Sequence, residues 1–245
     1  MQVLNLTNFR IMNFLRPVYI FFLVLLAAQA CFEDKKEDAS TEVKEESNSE
    51  QIISKHSHVY NASDLELNLP ELNQLDSLVY EDTIFSNRLF ALDNLQYLLI
   101  HNPCVSKYPS ELGRLKNLKT LNIDFNPRVH DLPDEWISLQ SLEEFSMSKG
   151  MIKKFPKVLC RLPKLKTIRL IWQLSIDSVP DEIGNLAELE MLDLSGDGIT
   201  YLSPAILKCK KLKALGLLNS HIQESDVIIR LRKMGVNVYL DSYIR

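Results

Sequence analysis

The stretch VPDEIGNLAELEMLDLSG, residues 179–196, decides the fold because its apolar residues change spacing partway along. Leu186 and Leu189 lie three positions apart, a spacing that suits a tight helical turn. Leu192 and Leu194 lie two positions apart, a spacing that suits a strand. A segment that changes period this quickly is one supersecondary unit, and a unit of this kind often recurs along a chain.

The same spacing occurs in six in-phase copies. Each copy follows Leu-x-x-Leu-x-x-Leu-x-Leu, and the copies begin 23 or 24 residues apart at Leu92, Leu115, Leu139, Leu162, Leu186 and Cys209. Four units also hold an apolar residue followed by Pro, and three positions after that Pro come Leu112, Trp136, Leu159 and Ile183. The fifth unit departs from this second pattern, and Ile206 takes its apolar position.

These repeats resemble the bacterial form of the leucine-rich repeat family, and the resemblance covers about residues 72–240. It implies an α/β solenoid with a parallel β-sheet on the concave face, irregular or short helical turns on the convex face, and capped ends. The physical reason is that one coil alone leaves its apolar side chains exposed, whereas stacked coils bury them. Burial gains on the order of 10 kcal/mol per coil, and ordering entropy cancels most of that gain.

Both ends of such a column need caps, because an open end exposes the core. A degenerate first coil, with residues 64–69 as its lead-in, is predicted at Leu72, Leu75, Leu78 and Tyr80. At the other end, Ser225 is predicted to cap a helix that Gly235 ends. The apolar face of that helix is predicted at Val227, Ile228, Leu231 and Met234. A final strand is predicted from the alternation of Val236, Val238 and Leu240.

The position after each strand departs from the family pattern, in which an Asn side chain bonds the backbone of the turn. This position holds Pro103, Asn126, Gly150, Gln173, Asp197 and Ser220. Only Asn126 matches the pattern. We therefore expect water or irregular turns in place of a side-chain ladder.

The first thirty residues have the features of a secretory signal. Arg10 and Arg16 precede an apolar run at 18–28, and small residues follow. The run is too short to span a bilayer comfortably, although a retained anchor helix stays open as the alternative. The residues Ala28-Gln29-Ala30-Cys31 resemble a bacterial lipobox, which implies that Cys31 is lipidated; ordinary cleavage beside Cys31 is the alternative. Met12 begins a neater signal, so the start could be Met1 or Met12.

Residues 31–57 are predicted to be a flexible tether. From Phe32 onward this segment carries eight acidic residues and four Lys, with few large apolar residues to bury. Acidic residues directly after a lipidated Cys resemble the surface-export signal of some Gram-negative lipoproteins, and a plain spacer is equally compatible. We therefore expect a leucine-rich repeat domain at 58–245. Its lipid anchor is expected in the outer membrane, facing either the surface or the periplasm.

The sequence offers little that is typical of an enzyme or of a cofactor site. It lacks a Gly-rich phosphate loop, Cys-x-x-Cys, His-Glu-x-x-His and Gly-x-Ser-x-Gly. His56 and His58 lack a third metal ligand nearby, and no nucleophile signature accompanies His130-Asp131. The net charge of −4 does not favour nucleic-acid binding. We expect no catalytic activity, no metal and no cofactor.

The remaining cysteines are Cys104, Cys160 and Cys209. Cys160 and Cys209 lie about two coils apart, which is on the order of 10 Å at the strand spacing of a sheet. A disulfide needs Cα atoms within about 7 Å. We therefore expect free, mostly buried thiols.

The predicted binding surface is the concave face, where the residues beside the two core positions of each strand point outward. Its candidate residues are Tyr97, Leu99, Asn122, Asp124, Phe125, Glu144, Arg169, Trp172 and Asp193. Aromatic and Arg anchors suit recognition of a protein partner. Trp172 also continues the alternation of Ile168 and Leu170, so it faces either a ligand or the core. The alternative function is a carbohydrate-binding or envelope-structural lipoprotein, for which Phe125 with Asp124 is the best sugar platform.

Overall fold

Among the described residues, nine parallel strands lie side by side in one sheet. The computed structural model describes residues 58–60, 65, 72, 74–82, 84–101, 105–173 and 175–241, all within the compact unit Glu46–Arg245. The strands are β1 (His58–Tyr60), β2 (Ser77–Tyr80), β3 (Tyr97–His101), β4 (Thr120–Asp124), β5 (Glu144–Ser148), β6 (Thr167–Ile171), β7 (Ser178–Val179), β8 (Met191–Asp193), β9 (Tyr201–Leu202), β10 (Ala214–Leu217) and β11 (Asn237–Leu240). The order in the large sheet is β1-β2-β3-β4-β5-β6-β8-β10-β11, and β7 pairs with β9 in a second, two-stranded sheet.

The strand register lines up the predicted apolar positions in one buried row. In the large sheet, each of the seven strands β2, β3, β4, β5, β6, β8 and β10 contributes one fully buried residue at the same level. These residues are Leu78, Leu98, Leu121, Phe145, Ile168, Leu192 and Leu215. A second buried row lies two positions further along, beginning at Tyr80 and Ile100. The in-phase stacking of coils is therefore confirmed.

The back of each coil is a short helical turn, and all of these turns except the first begin at or shortly after a Pro. These 3-10 turns span Leu89–Ala91, Ser110–Arg114, Asp134–Ser138, Leu159–Arg161, Asp181–Asn185 and Pro204–Lys208. Pro is tolerated there because no neighbouring strand requires a hydrogen bond from the N–H that Pro lacks. The five apolar residues predicted on the backs are buried: Leu112, Trp136, Leu159, Ile183 and Ile206.

Aromatic side chains fill the core of the N-terminal half. Tyr108 lies 5.7 Å from Trp136 between ring centroids, and Trp136 lies 6.5 Å from Phe145. The Trp136 Nε1–H donates to the Pro109 carbonyl at 3.0 Å, so this buried polar group is satisfied. Burial raises the pKa of Tyr108 far above its ordinary value, although the hydrogen bond to Asn126 opposes that shift.

A ladder of buried polar groups lies just beyond the strand ends, where the sequence predicted water or irregular turns. Gln173 Nε2 donates to the Met147 carbonyl at 2.9 Å, and the Gln173 N–H donates to Asp197 Oδ1 at 2.6 Å. Ser220 Oγ donates to the Leu217 carbonyl at 2.8 Å. The buried members are Asn126, Gln173, Asp197 and Ser220. The prediction was wrong because side chains other than Asn also bring hydrogen-bonding atoms to the backbone of this turn.

The predicted helix and strand close the C-terminal end. Helix α1 (Asp226–Lys233) begins after Ser225, whose Oγ accepts the N–H of Ile228 at 3.4 Å. Met234 is 42% exposed because it lies at the end of the helix, where the chain turns towards β11. Its predicted place on the buried face was therefore wrong. Beyond β11, Asp241 Oδ2 accepts the N–H of Asn219 at 2.6 Å.

The N-terminal end contains one more strand than the sequence indicated. The predicted degenerate coil is present: Leu72, Leu78 and Tyr80 are buried, and Leu75 packs against the core. Strand β1 then pairs with β2, adding a strand before that coil. Of the predicted lead-in, the structure describes only Leu65, which is fully buried.

Several predictions concern residues outside the described part of the chain. They are the signal at 1–30, the lipidation of Cys31, the tether at 31–57, and the positions of Pro103 and Cys104. Within the described residues, no helix combines the length and the apolar character needed to cross a membrane.

The two described cysteines have free thiols inside the protein, as predicted. Burial is the main cause that raises the pKa of Cys160 to about 12 and that of Cys209 to about 11. Cys209 Sγ also donates to the Ile183 carbonyl at 3.2 Å. At neutral pH both groups are protonated and therefore poorly nucleophilic.

Candidate binding face

The concave face consists of the strand residues that alternate with the buried rows. Of the nine predicted site residues, Glu144 is exposed and the others are partly exposed. Parallel register places six of them in two columns and a seventh, Asp124, in a third. The first column holds Tyr97 and Glu144, and the second holds Leu99, Asn122, Arg169 and Asp193, with Asp124 at the end of β4. The structure thus brings the strand residues of the predicted site onto one side of the sheet.

Several polar groups on this face are held by their neighbours. Asn122 Nδ2 donates to the Tyr97 hydroxyl at 3.0 Å. Asp193 Oδ1 accepts the Ser195 hydroxyl at 2.6 Å, and the Ser148 hydroxyl donates to Asp124. These contacts fix side-chain orientation before any partner arrives, which lowers the entropy cost of binding.

Arg169 keeps most of its hydrogen-bonding capacity for a partner. Its guanidinium group contacts Met191 Sδ at 3.5 Å, and a thioether is a weak acceptor. No carboxylate in the described part of the chain forms an ion pair with Arg169. A half-buried guanidinium with open N–H groups is suited to binding a carboxylate or a carbonyl.

The accessible face does not extend to the first strands. Val79 of β2 alternates with the buried Leu78 and Tyr80, yet it is only 5% exposed. Leu99 of β3, in the same column, is partly exposed. A partner on this face would therefore contact the sheet from β3 onward.

A column of left-handed residues follows the strands, and the sequence prediction missed it. Positive φ angles occur at the same position of five successive coils, at Phe125, Lys149, Trp172, Gly196 and Asn219. The N–H of Phe125 donates to the Ser148 carbonyl at 3.2 Å, and the N–H of Trp172 donates to the Ser195 carbonyl at 3.1 Å. Gly196 and Asn219 are the residues from which the sequence could have indicated positive φ, because Gly and Asn favour this conformation.

Comparisons with known proteins agree on the architecture. No protein-family model and no curated protein matches the chain. A solved leucine-rich repeat protein of Leptospira interrogans is 27% identical over 69% of this chain and 45% of its own, with a TM-score of 0.60. The chain has the leucine-rich repeat fold. It spans less than half the length of that Leptospira protein.

Two further leucine-rich repeat structures support the fold alone. InlP of Listeria monocytogenes is 19% identical over 66% of this chain and 50% of its own, with a TM-score of 0.53. The Arabidopsis receptor kinase HAESA, solved with the peptide hormone IDA and a co-receptor, is 22% identical over 68% of this chain and 29% of its own, with a TM-score of 0.56.

Trp172 does not lie in the core of the leucine-rich repeat, which answers the question that the sequence left open. Its positive φ of 59° interrupts the strand alternation, so the side chain no longer follows Ile168 and Leu170 inward. The indole instead lies against Gly196. A Cβ added to Gly196 would come within 2.6 Å of Trp172 Cε3 and 2.9 Å of Cε2. The ring is therefore seated on backbone and only partly exposed.

The convex side of the leucine-rich repeat holds a shallow pocket of about 450 Å³, which His130 and Asp131 help to line. His130 Nδ1 lies 3.0 Å from the Met151 carbonyl, and Asp131 Oδ1 accepts the N–H of Leu132 at 2.9 Å. In the described part of the chain, no hydroxyl or thiol bonds the His130 ring, so the geometry of an activated nucleophile is not formed there. The described residues also contain no group of three or more His, Cys, Asp or Glu placed to hold a metal ion.

Proposed function

We propose that this chain is a lipid-anchored, non-catalytic binding module that recognises a protein partner through its concave face. The observation that carries the proposal is the character of that face from β3 onward. Aromatic and aliphatic groups (Tyr97, Leu99, Phe125) lie two or three strands away from Arg169, which has open N–H groups on the same face. Aromatic and Arg side chains provide most of the binding energy at protein interfaces.

The rigidity of the sheet supports this proposal. The face is carried by hydrogen-bonded strands, and its polar groups are already oriented by each other. Binding to such a surface needs little ordering, so more of the contact energy appears as affinity.

The lipid anchor and the location rest on the sequence of the first 57 residues. A lipidated Cys31 followed by an acidic tether would hold the module near the outer membrane, while the tether would let the concave face reach a partner. Palmitate labelling followed by protease treatment of intact cells tests both features. We expect labelling that Cys31→Ser abolishes, and proteolysis of the module on intact cells; a labelled but protected module would place it in the periplasm.

A capture experiment tests the concave face. The full-length protein and a triple variant (Tyr97→Ala, Phe125→Ala, Arg169→Ala) would be compared as baits in an envelope extract and on a glycan array. We expect a protein to be captured by the wild type and not by the triple variant. Tyr201→Ala is the matched control, because Tyr201 is 52% exposed in the second sheet. Binding to glycans alone, or a partner retained by the triple variant, would contradict the proposal.

A further inference from the structure

The C-terminal end of the large sheet is an edge with none of the features that usually block strand pairing. Strand β11 is last in the sheet order, and in the described part of the chain it pairs only with β10. Its outer N–H and C=O groups therefore have no described strand to pair with. Exposed edges are usually protected by a charged residue, a Pro or a bulge, whereas β11 consists of Asn, Val, Tyr and Leu in continuous register with β10.

The apolar core also stays partly open at this edge. Val238 is in register with Leu215, and Leu240 is in register with Leu217, so both continue the two buried rows of the sheet. Leu215 and Leu217 are fully buried, whereas Val238 and Leu240 are partly exposed. The cap thus ends the repeat without fully covering its last coil, and one more strand would complete the burial.

The charges around the edge do not oppose the approach of a second copy of this chain. Residues 224–241 contain three acidic and three basic residues, so the cap has no net charge. Two of the basic groups are also paired within the chain. Arg232 Nη1 lies 2.6 Å from Glu224 Oε1, and Arg230 Nη1 lies 3.8 Å from Asp226 Oδ2. Two identical caps can therefore meet without like-charge repulsion.

The sequence of the edge is complementary to itself in an antiparallel register. Two identical strands that meet across a twofold axis run antiparallel, and each contact occurs twice. The apolar rows of the two copies continue into each other when Val238 faces Leu240 of the second copy. This register places Tyr239 opposite Tyr239 of the second copy, and aromatic pairs of this kind stabilise sheets. It also places Asn237 opposite Asp241, whose carboxylate can accept the amide N–H.

From these observations, we propose that the chain forms a twofold homodimer through antiparallel pairing of β11 with β11 of a second copy. The pairing provides hydrogen bonds for both edges and covers the partly open ends of both cores. Tyr239 is in register with Gly216 and so continues a column of the concave face. The concave faces of the two copies therefore join into one surface. The dimer does not depend on which ligand the concave face binds.

Sedimentation equilibrium of the full-length protein in density-matched detergent tests the proposal over a wide range of concentration. We expect a reversible equilibrium between monomer and dimer. Tyr239→Lys places two like charges opposite each other on the axis, so it should weaken dimerisation at least tenfold. Tyr201→Lys is the matched control, because Tyr201 is also about half exposed but lies in the second sheet. A wild-type protein that remains monomeric at every concentration would overturn the proposal.

A charge swap separates loss of pairing from damage to the fold. Tyr239 is 53% exposed, so Tyr239→Lys and Tyr239→Glu should both keep the urea midpoint of the wild type. Each variant alone should be monomeric, whereas an equimolar mixture should form heterodimers because Lys then faces Glu. If the mixture does not associate more strongly than either variant alone, Tyr239 does not lie on the twofold axis and the proposed pairing is wrong.

A cysteine on the axis tests the register. The two native thiols that the structure describes are buried, so Tyr239→Cys adds an accessible thiol. Facing residues of antiparallel strands have Cα atoms about 4.5–5.5 Å apart, which is within the range of a disulfide. We expect Tyr239→Cys to cross-link two chains on mild oxidation, and Tyr201→Cys, the control, not to do so. Cross-linking by Val238→Cys but not by Tyr239→Cys would place Val238 on the axis and contradict the proposed register.

Discussion

Replacing Gly196 with Ala should destabilise the protein by two separable effects. Gly196 has a φ of +85°, so a Cβ there costs about 1–2 kcal/mol of backbone strain, offset in part by about 0.4–1 kcal/mol from a less flexible unfolded chain. The added Cβ would also lie 2.6 Å from Trp172 Cε3, so the indole must leave its seat. Overpacking of this kind costs roughly 1–3 kcal/mol. We expect a total loss of about 3 kcal/mol.

A double-mutant cycle separates strain from collision. In a Trp172→Ala background the indole is absent, and only the strain of about 1 kcal/mol should remain for Gly196→Ala. The expected coupling between the two positions is therefore about 2 kcal/mol. Gly235→Ala is the matched control, because Gly235 has a φ of +87° and nothing lies within 4 Å of its added Cβ. It should cost about as much as Gly196→Ala does in the Trp172→Ala background.

Urea unfolding followed by far-UV circular dichroism measures all five proteins without relying on tryptophan fluorescence. A constant m-value would show that the unfolded state is comparable among the variants. If Gly196→Ala costs the same in both backgrounds, within about 0.5 kcal/mol, the indole does not rest on Gly196. The contact between Trp172 and Gly196 that we describe would then be wrong.

Four further outcomes are expected. Lys149→Gly should raise the free energy of unfolding by about 0.5–1 kcal/mol by removing left-handed strain, whereas Lys149→Ala, which keeps a Cβ, should not. Gln173→Met should lower it by about 2–3 kcal/mol in urea titrations, because it leaves buried backbone groups unpaired. Iodoacetamide at pH 8 should modify Cys160 and Cys209 only after unfolding, as mass spectrometry would show. The hydrogen bond from Lys166 lowers the pKa of Glu143 in the folded protein. The pair therefore stabilises the fold above a pH of about 4.3, and this stabilisation is lost as the pH falls through the folded pKa. The small difference in urea midpoint between the wild type and Glu143→Gln should vanish in acid.

The repeat made the sheet and its register predictable from the sequence. The two-residue spacing of Leu192 and Leu194 places both side chains on one face, and burial of that face admits a single register. A shift of one residue in any coil would expose its whole apolar set. The backs were predictable for a similar reason, since Pro excludes a ladder strand and marks where the turn begins.

The features that the sequence did not reveal depend on backbone conformation and on interchangeable polar groups. Phe125 and Trp172 give no sign of a positive φ, because neither residue type favours it. The strict alternation of strand residues then suggested that Trp172 could point inward. The sequence likewise did not indicate that the Gln173 amide would form the hydrogen bond to the backbone that is expected of Asn. Strand β1 was missed because three residues are too few to show a period.

Core positions and left-handed positions of each coil are subject to different constraints, and this difference indicates where to look for function in a repeat of this kind. The side chains at the core positions, such as Leu121, are fully buried, so close packing restricts these positions to apolar residues of matching shape. The left-handed positions after the strands do not belong to the apolar core, so backbone conformation alone would favour Gly there, as at Gly196. Each departure from Gly costs about 1–2 kcal/mol in a protein whose total stability is of the order of 5–15 kcal/mol. Because Phe125 and Trp172 retain that cost where Gly196 avoids it, the left-handed column is the part of the concave face most worth testing for contact with a partner.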